Sequence, residues 1–118
     1  MEDDKSIWIV DSGATNHVCC SLQLLDSWRD LTEGSFTMRV GTGDAVSAKA
    51  VGVSNLNFNK SYLCLNDVLY IPGFRRNLIS VSKLMECVFS VSFNNKSVII
   101  SINGLKICTR NSKIIYMY

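Results

Sequence analysis

The chain has one histidine, one proline, and no apolar run near the ~20 residues that a membrane-spanning helix needs. No membrane association is expected. Its opening Met1-Glu2-Asp3-Asp4-Lys5 is acidic, where a secretory leader is basic and then apolar, so a cytoplasmic location is expected. Concentrated charge is missing too. Twelve Lys and Arg stand against ten Asp and Glu, giving a net charge of +2, and the longest basic block is Arg75-Arg76. That leaves no electrostatic footprint for nucleic acid, and the pair reads as a solvated turn. The five cysteines, Cys19, Cys20, Cys64, Cys87 and Cys108, are odd in number and include no Cys-x-x-Cys pair. They read as reduced, mostly buried small hydrophobes, and with His17 alone they make no zinc set, so neither metal nor cofactor is expected. His17 also lies too near Cys19 to serve it as a catalytic base, and reads as a structural residue beside a turn.

What is present is a foldable composition: 118 residues, 47% apolar and 19% charged, without low-complexity segments. One domain over residues 6–118 is expected, with residues 1–5 as a flexible lead. Strand-like runs dominate, at Ile7 to Val10, Phe36 to Val40, Ala45 to Val53, Tyr62 to Leu65 and Val68 to Ile71. Four more follow at Val88 to Phe93, Ser97 to Ile102, Leu105 to Thr109 and Ile114 to Met117, so the last third reads as a meander. Its turns would be Asn94-Asn95-Lys96 and Asn103-Gly104, the latter the strongest hairpin signal in the chain. Leucine and tryptophan at three-residue spacing suggest a short helix over Ser21 to Leu31. A second is predicted over Arg76 to Glu86, capped by Asn77. The fold class is all-β with one or two short helices, closed or nearly closed into a barrel. Trp8 is assigned to the core and Trp28 to a partly exposed position.

The chemistry sits where Ile7-Trp8-Ile9-Val10 ends in Asp11-Ser12-Gly13-Ala14. A strand fixes the carboxylate, Gly13 permits a sharp turn, and small neighbours leave room for a second carboxylate and a peptide. Peptide hydrolysis by carboxylates needs two of them, one ionised to take a proton from water and one protonated to polarise the scissile carbonyl. The chain has one such segment and is too short for a two-lobed enzyme. Asp11 of a second copy must complete the dyad, so a two-fold homodimer follows from the enzyme reading. Asp-Ser-Gly taken alone equally describes an ordinary Asx turn or a helix cap. Downstream, Gly41-Thr42-Gly43-Asp44 is a glycine-rich hairpin tip that suits a cover over a peptide, though it also suits a plain turn. It lacks the lysine and third glycine of a phosphate loop.

Four linked segments now give a family resemblance. They are Trp8 to Cys19, Val40 to Asp44, Leu65-Asn66-Asp67-Val68-Leu69-Tyr70-Ile71-Pro72-Gly73, and Arg76-Asn77-Leu78-Ile79-Ser80-Val81-Ser82-Lys83-Leu84. In order and spacing they resemble the protease region of copia-type retrotransposon Pol polyproteins. The resemblance implies a retropepsin-like barrel with a flap and a homodimeric aspartic endopeptidase that processes Gag-Pol within retroelement particles. It assigns Asp11 as the catalytic residue, Ser12, Gly13 and Ala14 as its loop support, and Gly41, Thr42, Gly43 and Asp44 as the flap. A silent barrel serving as a binding or assembly module is the alternative. The chain departs from retroviral pattern at Asn77-Leu78-Ile79-Ser80, where apolar-apolar-glycine is usual, and in the meander that follows.

Overall fold

Trp8, Ile9 and Val10 form a strand buried on both faces, as an unbroken apolar run between polar residues should. The computed structural model describes residues 7–39, 41–58, 61–86, 89–93, 98–102, 105–108 and 114–117. Along these run β1 (Trp8–Asp11), β2 (Val18–Cys19), β3 (Ser27–Asp30), β4 (Thr37–Arg39), β5 (Ala45–Ser47), β6 (Ala50–Phe58) and β7 (Ser61–Tyr70). They are followed by β8 (Asn77–Ser80), α1 (Val81–Glu86), β9 (Phe89–Phe93), β10 (Val98–Ile102), β11 (Leu105–Cys108) and β12 (Ile114–Met117). Among the described residues the fold is therefore mainly β with one short α-helix. No helix among the described residues is long and apolar enough to cross a membrane.

Seven strands form one sheet in the order β12-β1-β8-β2-β7-β6-β3, while β9 to β11 and β4-β5 form separate small sheets. The expected barrel is not closed: β12 and β3 end the sheet, and all four residues of β3 are exposed. Hydrophobic alternation specifies which face is buried, whereas closure depends on tilt and stagger that alternation does not encode.

β8 enters between β1 and β2, pairing parallel with β1 (Asp11 opposite Ser80) and antiparallel with β2 (Val18 opposite Leu78). Residues 12–17 must therefore cross over the far end of β8, which places Ser80 beneath the Asp11 turn. One apolar cluster unites Trp8, Val10, Cys19, Leu65, Ile79 and Leu84, and a second holds Val18, Ala48, Leu69 and Ile71. Together they fix β1, β2 and β8 as the rigid floor of the turn.

Both helix expectations need correction. Over Ser21 to Leu31 there is a single 3-10 turn at Leu22–Leu24, and then β3. Ser21 makes no capping bond with its side chain, and Leu25 is already extended. Tertiary bonds override the spacing, since Ser54 Oγ donates to Leu24 O (2.7 Å) and Asn55 N donates to Asp26 Oδ2 (2.7 Å). The Arg76 to Glu86 helix begins only at Val81, because Asn77–Ser80 is strand.

The runs 62–65 and 68–71 join as β7, with a bulge where a break is expected. Gly52 faces Val68 and Ser54 faces Leu65, so β7 carries an extra residue there, and Asp67 takes a left-handed φ of 54°. Across β6, a Cβ on Gly52 would sit 2.1 Å from Ser27 O, so only glycine lets β3 approach. The run Ala45 to Val53 divides into β5 and β6 at Ala48-Lys49, where Lys49 N donates to Tyr70 O (2.9 Å).

The expected meander is present as antiparallel β9, β10 and β11. Its turns at 94–96 and 103–104, like the flexible lead at 1–5, lie outside the described residues. Ile114 to Met117 is a strand, but it leaves the meander and returns to pair parallel with β1, Met117 opposite Asp11.

Candidate functional site

Asp11 ends β1 half-buried, where the sheet gives way to solvent. Its side chain is fixed locally: Gly13 N donates to Asp11 Oδ1 (2.8 Å), and Ala14 N approaches Asp11 O (3.4 Å) to close the turn. This is an Asx-type turn, and Gly13 suits it because an added Cβ would crowd Oδ1 at 3.3 Å. Ser12, Gly13 and Thr15 are exposed around the carboxylate.

Polar groups on β8 and the start of α1 hold the loop from below. Ser80 Oγ donates to Ala14 O (2.7 Å), accepts from Lys83 N (3.2 Å), and lies 3.0 Å from Ser82 Oγ. Asn77, fully buried, accepts from Cys20 N through Oδ1 (2.9 Å) and donates through Nδ2 to Ile7 O (2.9 Å). One side chain thus ties the entry of β1 to the exit of β2. Buried His17 accepts from Ser80 N at Nδ1 (2.9 Å). Burial lowers its pKa to about 4, helped by Lys83 and opposed by Asp67, so the imidazole is neutral at pH 7. Burial also pushes the Cys19 thiol up to about 12, which makes it a poor nucleophile.

The sequence already placed His17 beside the turn as a structural residue; what it did not assign is the set of bonds by which Asn77, Ser80 and His17 hold the loop. Two polar residues bracketing Leu78-Ile79 were the available signal: on a buried strand, such groups must be bonded.

The segment expected to be a flap lies at the tip of a hairpin formed by β4 and β5. Arg39 Nη1 donates to Gly43 O (2.8 Å), Thr42 Oγ1 donates to Asp44 Oδ2 (3.0 Å), and Gly43 has a φ of 90°. Residues 41–45 are exposed, and among the described residues no hydrogen bond joins them to Asp11–Ala14. The structure therefore brings Asp11, Ser12, Gly13 and Ala14 together in one turn and places Gly41, Thr42, Gly43 and Asp44 on a separate two-stranded hairpin. Among the described residues, a cavity of about 300 Å³ runs along Trp28, Arg29, Gly52 and Asp67, and another of about 70 Å³ lies between His17, Cys64, Asp67 and Lys83.

These features define a class: an open β-sheet domain that presents one carboxylate on a braced Asx-type turn. Residues 8–89 match the family model described as Pol polyprotein, beta-barrel domain, and the chain belongs to that family. It is 35% identical over 77 residues to the retrovirus-related Pol polyprotein from transposon RE2 of Arabidopsis thaliana, and 34% identical over 77 residues to that from transposon RE1. Each alignment covers 65% of this chain but 5% of the plant protein, so the chain spans a small part of those relatives. The putative transposon Ty5-1 protein YCL075W of Saccharomyces cerevisiae is 31% identical over 77 residues, covering 65% of this chain and 49% of that protein. No solved structure matches significantly.

Proposed function

We propose that this domain is the aspartic endopeptidase of a copia-type retrotransposon Pol polyprotein, active as a homodimer with one Asp11 from each chain. The observation that carries the proposal is Asp11 itself: a carboxylate at the mouth of a buried strand, one oxygen held by Gly13 N, on a loop anchored by Ser80. Placed face to face, two such carboxylates repel, and one keeps a proton. The ionised partner takes a proton from water as the water oxygen bonds to the scissile carbonyl carbon. The protonated partner gives its proton to the carbonyl oxygen. Collapse of the tetrahedral intermediate breaks the C–N bond, and a proton passes to the leaving nitrogen, yielding acid and amine.

Ser12 is assigned to hydrogen bonds across the dimer, and Ala14 keeps the floor small. The hairpin tip at Gly41, Thr42, Gly43 and Asp44 is assigned to cover the bound peptide through its exposed backbone amides. The substrate is Gag-Pol polyprotein, and the setting is the cytoplasmic particle of the element. The test is a chain extended by its flanking polyprotein sequence. Self-processing is expected, with loss on Asp11→Asn, and ultracentrifugation should find dimers at concentrations where cleavage is seen. Unchanged processing by Asp11→Asn refutes the peptidase reading. A strictly monomeric protein without cleavage favours an assembly module.

A further inference from the structure

His17 lies 3% exposed at the end of the loop that begins at Asp11, and it is the chain's one histidine. Its Nδ1 accepts the Ser80 backbone N–H at 2.9 Å, and Ser80 Oγ donates to the Ala14 carbonyl at 2.7 Å. An uninterrupted path of short bonds therefore runs from the imidazole through β8 to the backbone of the Asp11 turn. The first bond exists only if Nδ1 keeps its lone pair, which puts the neutral ring's proton on Nε2. A proton on Nδ1 would set two N–H groups against each other in a buried space, and the ring or the end of β8 would have to move.

We infer that His17 is a positioning residue, holding the Asp11 loop through Ser80 only while its imidazole is uncharged. The effect on turnover rests on the aspartic-peptidase reading; the effect on loop shape does not. The groups around the ring set where the change falls. Lys83 and Glu86 face its cavity from α1, Cys64 and Asp67 face it from β7, and Asp11 begins its own loop. Burial and the Lys83 ammonium oppose a second positive charge more than Asp67 favours it, which places the titration at about 4. The loop thus keeps its shape through neutral and mildly acidic solution and loses it in stronger acid.

The test uses ¹³C,¹⁵N-labelled Asp11→Asn protein, which cannot digest itself and keeps an oxygen for Gly13 N. Long-range imidazole spectra should show Nδ1 without a proton. On acidification, the Ser80 amide and Ala14 carbonyl signals should shift with the same midpoint as His17. His17→Asn puts a non-titrating amide oxygen near the place of Nδ1, so the shared titration should vanish; with Asp11 restored, the acid limb of turnover should move to lower pH. His17→Phe has no acceptor and should show a disturbed Ser80 amide already at pH 7. If it fails to fold, the titration and His17→Asn still decide the matter. A His17 that titrates while Ser80 and Ala14 stay still, or that carries its proton on Nδ1, overturns the inference. Coupled titration without turnover in the Asp11 protein upholds the positioning role and overturns the peptidase reading instead.

Discussion

Replacing Asn77 by leucine keeps the branched shape, with a somewhat larger volume, at a fully buried position and removes both of its described hydrogen bonds. Cys20 N, in a buried residue, would lose its acceptor, and Ile7 O, in a half-buried one, would lose its donor. A buried polar group stripped of its partner costs ~1–3 kcal/mol. Ile7 O can turn toward water, so its share belongs at the low end, and the total is about 2–4 kcal/mol. Against a typical total stability of ~5–15 kcal/mol this is a large fraction. With a urea m-value of ~2 kcal/mol/M, the midpoint should fall by roughly 1–2 M at unchanged m. Amide exchange at Cys20 should accelerate beyond that of residues in β6 and β7, since the tie between β1 and β2 is what has been cut. Equilibrium unfolding monitored by Trp8, 1% exposed, provides the assay. A midpoint shift under about 0.3 M would show that the bonds are replaced by water or by backbone rearrangement, and that Asn77 is not the clamp described.

Ser80→Ala removes the bond to Ala14 O and should cost ~1 kcal/mol, read as a lower urea midpoint and faster exchange confined to the loop between Asp11 and His17. Stability should also fall in acid because of His17. Its folded pKa of about 4 lies below the ordinary 6.5, so between those values the unfolded chain binds a proton that the folded one refuses. The stabilisation is complete above pH 6.5 and is lost on descending through about 4, for a total of ~3 kcal/mol, and a pH series of unfolding curves on wild type and His17→Asn isolates it. Gly52→Ala should destabilise by ~1–3 kcal/mol or more, because the new methyl would stand 2.1 Å from Ser27 O. The accompanying sign is a change in the fluorescence of half-exposed Trp28 as β3 is pushed from β6.

Local pattern carried the strands well where each residue's face alone decides the structure. Trp8 to Val10, Phe89 to Phe93 and Val98 to Ile102 appear within a residue or two of their expected ends. It failed where distant bonds decide. Leu22, Leu25 and Trp28 have helical spacing, but Ser54, Asn55 and Val53 on β6 capture that segment's backbone and side chains, producing one 3-10 turn and a strand. Asn77 looked like a helix cap because caps are where asparagine is common; instead it is spent between two strands that no local window contains. The return of Ile114–Met117 to β1 is likewise a long-range pairing.

For the site the division is similar. Asp11, Ser12 and Gly13 were legible because their turn is closed by bonds within the turn itself. The departure at Asn77-Leu78-Ile79-Ser80 was visible as an anomaly, but its meaning needed the crossing of residues 12–17 over β8. Ser80 carries a hydroxyl that reaches the loop carbonyl, so the brace is made by a side chain.

Whether Asp11 works as half of a pair is decided by mixing. Wild-type and Asp11→Asn chains, denatured together and refolded in varied proportion at constant total concentration, are assayed on a polyprotein-junction peptide. If a dimer needs both carboxylates, activity follows the square of the wild-type fraction, about one quarter at an equal mixture. A linear dependence, about one half at that point, would contradict the shared dyad.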